Sequence, residues 1–353
     1  MTHIGETYTM QNELKIGNRV IGKNYPPLVI PEIGINHEGS FKKAKKMISD
    51  AYKSGAECVK FQCHIVDDEM IKNNVIPANA KQSIWNIMKR CSLTEEEEIK
   101  LKNYTEKLGM IYLSTPFSRK AANRLQSMNV CAYKIGSGEC NNLPLVKHIA
   151  SFGKPIILST GMNNIRSIRA SVSILKKAKV DFALLHTTSM YPTPYDKVRL
   201  GALDDLKSNF PNSIIGLSDH SLGNYTCFAA IPYGALILEK HFTSNKKWKG
   251  PDISLSIDPK ELKELIQGSF AIKQALDGKK TILIEEDPTI KFAYASVVTT
   301  RNIKKNELLT TKNIWVKRPG TGSIPARKFD TILKKHAKKN IAKDKQLSYS
   351  DIS

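Results

Sequence analysis

Between Leu28 and about Asn245 the chain repeats one pattern, a short apolar run followed by an amphipathic segment. Eight runs can be counted: LVIPEIG (28–34), ECVKFQ (57–62), MIYLST (110–115), AYKIGS (132–137), PIILST (155–160), DFALLHT (181–187), SIIGLSD (213–219) and LILEKHF (236–242). Segments 40–54, 95–108, 118–127, 142–151, 163–178 and 222–232 carry apolar residues at helical spacing. Strands alternating with helices are the pattern of βα units around a parallel sheet. Eight of them predict a (β/α)8 TIM barrel of the α/β class.

The stretch from Cys63 to Cys91 is too long for an ordinary βα loop and reads as a lid or substrate wall, with Pro77 to Ala80 as the wall. A last helix is expected near 259–276. Residues 1–27 then form an N-terminal extension, 28–280 the barrel, and the polar segment 281–291 a linker. Residues 292–353, with the β-type runs YASVVTT and NIWVKRP broken by turn sequences, read as a small, mostly-β domain.

No apolar leader core and no membrane-length apolar run is present, so a cytoplasmic protein without a membrane partner is expected. The six cysteines form no CxxC pair and mostly sit in apolar runs, which predicts reduced core thiols. A net charge of +21 suits an anionic partner. The lysines are spread along the chain without interleaved stacking aromatics, which points to an anionic small molecule and away from nucleic acid.

In such a barrel the active site lies at the C-terminal ends of the strands. Here the strand ends carry Glu32 with Asn36 and His37, Lys60 and Gln62, Thr115, Lys134 with Ser137 and Glu139, Ser159, His186 to Tyr191, Ser218 to His220, and His241. Any one of them could be a satisfied core residue; their convergence argues for a site. Lys60 and Lys134 are buried unless they face a polar cavity or an anion, and with Ser137, Ser159 and Ser218 they describe a pocket for phosphate and carboxylate groups. His220 and His241 end adjacent strands. Spacing alone leaves a metal pair and a structural pair equally open; as ligands they would suit Mn²⁺, Mg²⁺, Co²⁺ or Zn²⁺ as a Lewis acid. Glu32, Glu139 and Asp252 are candidates for proton handling or hydroxyl recognition.

The motifs EIGINHEGS (32–40), GAECVKFQ (55–62), LSTPFS (113–118), YKIGSGECNN (133–142), KPIILSTGM (154–162), YPTP (191–194), GLSDHS (216–221), EKHFT (239–243) and GPD (250–252) closely resemble the sialic acid (N-acetylneuraminate) synthase family, over essentially the whole chain. WVKRPGTG (315–322) is similar to the antifreeze-like (SAF) domain that ends such synthases. The resemblance implies a metal-dependent condensation of phosphoenolpyruvate with N-acetylmannosamine, with Mn²⁺ as the metal and Mg²⁺ or Co²⁺ as alternatives. It matches His220 and His241 to the metal ligands. Lys60, Thr115, Lys134, Ser137, Ser159, Ser189 and Ser218 match the phosphoenolpyruvate positions, and Gln62, Asn79, Phe117, Tyr191 and Asp252 the amino-sugar positions. Glu32 and Glu139 take the proton-transfer roles. It also implies a homodimer in which Arg318 of the tail reaches the neighbouring subunit's sugar.

Two positions depart from the family pattern: Ser189 stands where relatives often carry Asn, and Ile253 where many place His. The same chemistry on a 2,4-diacetamido-6-deoxy sugar, giving legionaminic or pseudaminic acid, is the near alternative. An ice- or glycan-binding module built on the tail is the distant one, and the set of strand-end polar groups argues against it.

Overall fold

The computed structural model describes residues 13–353 and divides into two compact units that part between Asp277 and Gly278. Of the segment read as an N-terminal extension, residues 1–12 lie outside the described residues. The rest is not a loose arm: β1 (Glu13–Ile16) and β2 (Arg19–Gly22) form an antiparallel hairpin.

Eight parallel strands follow: β3 (Leu28–Gly34), β4 (Cys58–Cys63), β5 (Ile111–Pro116), β6 (Tyr133–Ile135), β7 (Ile156–Ser159), β8 (Phe182–Thr187), β9 (Ile214–Asp219) and β10 (Ile237–His241). Six of the apolar runs named above contain one of them whole, and β4 and β5 extend one residue past theirs. The ladder order is β5-β4-β3-β10-β9-β8-β7-β6, and its two end strands lie side by side, closing the barrel. Helices Phe41–Lys53, Glu95–Lys107, Arg119–Ser127, Leu143–Ala150, Ile165–Lys177, Tyr225–Ala230 and Pro259–Ala275 occupy the segments of helical spacing, and Ala202–Asn209 adds one that spacing did not single out. The long stretch after β4 contains two helices, Val66–Glu69 and Ile84–Cys91, seated with Ile35 in a satellite cluster.

Strand side chains alternate between the barrel interior and the helical layer, so residues two apart share a face. On β3 the inward set is Leu28, Ile30, Glu32; on β4 it is Cys58, Lys60, Gln62; on β10 it is Ile237, Glu239, His241. Each set begins apolar and ends polar. The apolar halves meet at the N-terminal end of the barrel, where Leu14, Ile16 and Ile21 of the hairpin plug it from below. The hairpin is tied on by an Arg19–Glu57 ion pair at 2.6 Å. Outward residues such as Val29, Ile33, Val59, Phe61 and Leu238 pack under the helices. All six cysteines are free thiols and all but Cys131 are buried, as read from the sequence.

The second unit pairs β11 (Ser296–Thr299) with β12 (Ile314–Lys317) in antiparallel register and extends the small sheet by single bridges at Val298–Gln346 and Ile303–Ile341. Val297, Leu309, Ile314, Ile324 and Leu347 form its own core. The segment read as a linker is helical in part, with Asp287–Ala293 a helix of this unit. No helix among the described residues is long and apolar enough to cross a membrane.

The plug gives a direct test. Ile16 is fully buried, and Ile16→Ala is expected to lower the stability of the first unit by about 2–5 kcal/mol through lost burial and a residual cavity, read as a shift of the urea midpoint.

Candidate active site

The polar ends of the inward faces meet in a buried charge network. Lys60 Nζ lies 2.6 Å from Glu32 Oε2 and 3.8 Å from Glu239 Oε2, and Lys134 Nζ lies 3.4 Å from Glu239 Oε1. Lys60 donates to Thr115 Oγ1 at 3.2 Å, Lys134 to Ser159 Oγ at 2.7 Å, and Ser218 Oγ to Glu239 Oε1 at 2.9 Å. Both lysines are at most 3% exposed. Register explains the meeting, since Glu32 is paired with Lys60 on one side and His241 on the other, and Glu239 with Ser218.

Electrostatics follows from burial and from who faces whom. Burial pushes the Glu32 carboxyl up, and the Glu239 charge adds to this against the pull of Lys60. Burial also raises Glu239, but Lys134 and Lys60 outweigh it and hold its carboxyl below the ordinary value. Lys60 is desolvated, yet Glu239 and Glu32 keep it above its ordinary value. Lys134 has Glu239 on one side and the Lys60 cation on the other, and burial brings it down to about 8.

Two glycines let the site close up. Gly34 has φ of +52°, and a Cβ there would press on Glu32 and Gln62 at 3.1 and 3.2 Å. Gly161 lies between two serines: Ser137 Oγ accepts its N–H at 2.9 Å, and a Cβ would run into Ser137 and Ser189. Ser189 Oγ is buried without a partner. The expected hydroxyl donors Ser137 and Ser189 therefore flank Gly161, whose N–H is taken by Ser137, and it is their hydroxyl hydrogens that remain to be donated.

Beyond Glu32 lies an imidazole cluster. The His220 and His241 ring centres are 5.4 Å apart, and Tyr191 packs on His220 at 4.2 Å. His220 Nδ1 lies 2.9 Å from the Thr188 carbonyl. His241 Nδ1 is buried without a hydrogen-bond partner, 3.8 Å from Asp252 Oδ2. Burial lowers both imidazoles, His241 the more because His220 and the buried lysines add to it. Asp252 accepts from Asn79 Nδ2 at 3.3 Å, so the Pro77–Ala80 segment is a wall of this cluster. Burial, with the Glu32 charge, pushes Asp252 up to about 7.

Some expected residues stand apart. The Glu139 carboxyl is half-buried, raised by burial, and takes its hydrogen bond from Asn142 rather than from any group of the network. Phe117 lies flat on His64 at 4.5 Å. Arg318 belongs to the second unit and is exposed. Asn36, His37 and His186, counted among the strand-end polar groups, are braces: Asn36 Nδ2 donates to Phe242 O and Ser256 Oγ, Gly39 N donates to His37 Nδ1, and His186 Nε2 meets Val198 O. Ile253 is buried.

The sequence reading missed Glu239, although it lies in the quoted EKHFT, because nothing local marks a residue that joins two distant lysines. It also missed the outward pair Lys240–Asp219, wholly buried at 2.5 Å, in which Thr226 Oγ1 and Ser221 N donate to Asp219. Lys240 overcomes burial to hold the Asp219 carboxyl low. This pair locks the ends of β9 and β10 that carry His220 and His241.

A model of the NeuB family matches residues 47–281, and a SAF domain model matches residues 294–353. The chain belongs to the NeuB family. MJ1065 of Methanocaldococcus jannaschii is 39% identical, covering 96% of this chain and 98% of that protein. An N,N′-diacetyllegionaminic acid synthase of Campylobacter jejuni is 36% identical over 90% of this chain and 97% of its own length. The solved N-acetylneuraminic acid (sialic acid) synthetase of Leptospira borgpetersenii superposes with a TM-score of 0.73 at 33% identity, covering 80% of this chain and 97% of that one. The NeuB-family match spans most of the barrel, including all of the buried charge network except Glu32.

Among the described residues Glu239 is the one carboxylate ion-paired with both lysines. Glu239→Gln is expected to cost about 3–5 kcal/mol in urea unfolding, since it leaves a buried cation uncompensated, and to drive the Lys134 titration, followed by NMR of its ε-CH₂, below its position in the parent.

Proposed function

We propose that this chain condenses phosphoenolpyruvate with N-acetylmannosamine and water, giving N-acetylneuraminate and phosphate. The observation that carries the reading is the pair of buried cations, Lys60 and Lys134, set among the hydroxyls of Thr115, Ser159 and Ser218 at the mouth of a barrel. In so desolvated a place a lysine attracts phosphate and carboxylate oxygens far more strongly than in water. In this reading those five residues, with Ser137 and Ser189, hold phosphoenolpyruvate, while Gln62, Asn79, Phe117, Tyr191 and Asp252 receive the sugar.

C3 of phosphoenolpyruvate forms the new bond to the open-chain aldehyde carbon, water adds at C2, and the C–O bond to phosphate breaks with its electron pair leaving on phosphate. Lys60 and Lys134 orient the enolpyruvate and hold the departing charge. Glu32, raised by burial and next in register to His241, is the first candidate to exchange a proton with the reacting groups, and Glu139, also raised by burial, is the second.

The donor set at His220 and His241 fits a divalent ion, with Mn²⁺ the first choice and Mg²⁺ or Co²⁺ the alternatives. Both rings are kept neutral by burial, the His220 Nδ1 contact with a carbonyl leaves its Nε2 the lone pair, and His241 Nδ1 has no partner. Among the described residues no group of three or more His, Cys, Asp or Glu side chains could hold a metal ion, so an ion at the two histidines would need oxygens of water and substrate to complete its ligands. Such an ion supplies Lewis-acid polarisation of the sugar carbonyl. The proposal extends to a homodimer in which Arg318 meets the sugar bound by the neighbouring chain.

A second reading keeps the chemistry and replaces the sugar by a 2,4-diacetamido-6-deoxy hexose. It is favoured by the 36% identity to a legionaminic acid synthase.

Phosphate release from phosphoenolpyruvate, with Mn²⁺ or EDTA and each sugar offered separately, tests both. Release with N-acetylmannosamine, abolished by EDTA and reduced by at least about a hundredfold in His220→Ala and His241→Ala, is expected; release only with the deoxy sugar selects the second reading, and release with neither ends the proposal.

A pH dependence follows from Lys134. Its ammonium is half lost at about 8 and disappears as pH rises through that value, so kcat/KM for phosphoenolpyruvate is expected to fall roughly tenfold per pH unit well above it. A profile flat to pH 10 would remove Lys134 from anion binding.

A further inference from the structure

One partly buried chain of hydrogen bonds leads into the site from Glu69 and His64, which have been given no part so far. Glu69 Oε2 lies 2.7 Å from His64 Nδ1, His64 Nε2 lies 3.0 Å from Gln62 Oε1, and Gln62 Nε2 donates to Glu32 Oε1 at 2.9 Å. The His64 ring is buried and lies flat on Phe117, with an interplanar angle of 14°.

The polarity of this chain is fixed from its two ends. Glu32, ion-paired with Lys60 at 2.6 Å, is an acceptor, so the Gln62 amide must turn its NH₂ toward it. The Gln62 carbonyl then faces His64, whose Nε2 must donate. Glu69 offers His64 Nδ1 another acceptor. A flipped Gln62 amide would set its carbonyl against the Glu32 carboxylate and its NH₂ against the imidazole N–H, two repulsive contacts in place of two bonds.

We propose that His64, clamped by Glu69 and stacked on Phe117, is a positioning residue that fixes the Gln62 amide so that Gln62 presents an N–H donor to the amino sugar. The sugar atom that meets it is accordingly an acceptor, a carbonyl or hydroxyl oxygen. Gln62 uses one of its two N–H groups on Glu32, and the second is the one that reads the substrate. This inference rests on Gln62 facing the sugar, as the proposed function has it. It assigns the relay from Glu69 to Glu32 to sugar selection and leaves the phosphoenolpyruvate groups outside it.

The test uses two substitutions of unlike character. His64→Phe keeps a flat ring on Phe117 and removes the Nε2 donor to Gln62 together with the Glu69 contact, whereas His64→Gln keeps an N–H donor. Expected are a rise in KM for the amino sugar of about tenfold or more in His64→Phe, a KM for phosphoenolpyruvate unchanged within about threefold, and recovery of most of the loss in His64→Gln. Equal rises in both KM values, an unchanged sugar KM, or a His64→Gln protein as poor as His64→Phe would each overturn it. Glu69→Gln, expected to raise only the sugar KM by about threefold, replaces His64→Phe if that variant does not fold.

A second measurement needs no turnover. In urea unfolding, His64→Phe and Gln62→Leu together are expected to destabilise by less than the sum of the two singles; strict additivity means the bond is absent and the inference is lost. A parent protein that releases no phosphate with either sugar ends the proposed function, while this cycle still decides whether His64 holds Gln62.

Discussion

Two lysines and two glutamates, drawn out of water at the mouth of the barrel, hold one another's charge, and the surrounding structure keeps that balance. An isolated buried ion is costly by several kcal/mol, so Lys60 and Lys134 are tolerable because Glu32 and Glu239 face them and because Thr115, Ser159 and Ser218 complete their hydrogen bonds. The quartet is neutral as a whole but unevenly distributed. Glu239 serves both lysines, Glu32 is pushed up, and Lys134 is pulled down to about 8. In the proposed function an incoming anion takes over part of the charge balance that Glu239 and Glu32 supply to the two lysines.

The rest of the fold supports this arrangement from three sides. Below, the apolar halves of the inward faces and the hairpin residues Leu14, Ile16 and Ile21 exclude water from the N-terminal end. Outside, the buried Lys240–Asp219 pair fastens the strand ends that bear the two histidines. Above, the long segment after β4 brings Asn79 against Asp252 and His64 against Gln62. Each contact fixes the orientation of a side chain at the C-terminal end of the barrel, which a loop held only at its ends would not do.

Much of this was legible in the chain because the barrel imposes two simple periods. An apolar run long enough for one strand, repeated eight times, has few other solutions, and each of the eight strands lies within the run read for it or passes its C-terminal end by one residue. Within each run the alternation of faces puts Glu32, Lys60, Gln62, Lys134, Ser159, Ser218 and His241 inward. What local patterns could not separate was a site residue from a brace: Asn36, His37 and His186 look no different in sequence, yet they hold loops and strand ends together. The plug was hidden because a four-residue strand with two inward side chains is too short to show a period.

The sequence alone determined the class of fold, the end of the barrel at which the polar side chains collect, and the family to which the chain belongs, because each depends on residue type at fixed local spacing. Only the tertiary structure decided which of those polar groups pair. Glu239 meets Lys60 and Lys134 from a strand more than a hundred residues away in the chain, Ser137 and Ser189 close on Gly161, and Glu69 sets the direction of Gln62 through His64. Those partnerships depend on distance and on the direction of each donor, which are properties of closed strands and packed loops and have no counterpart in the order of residues along the chain.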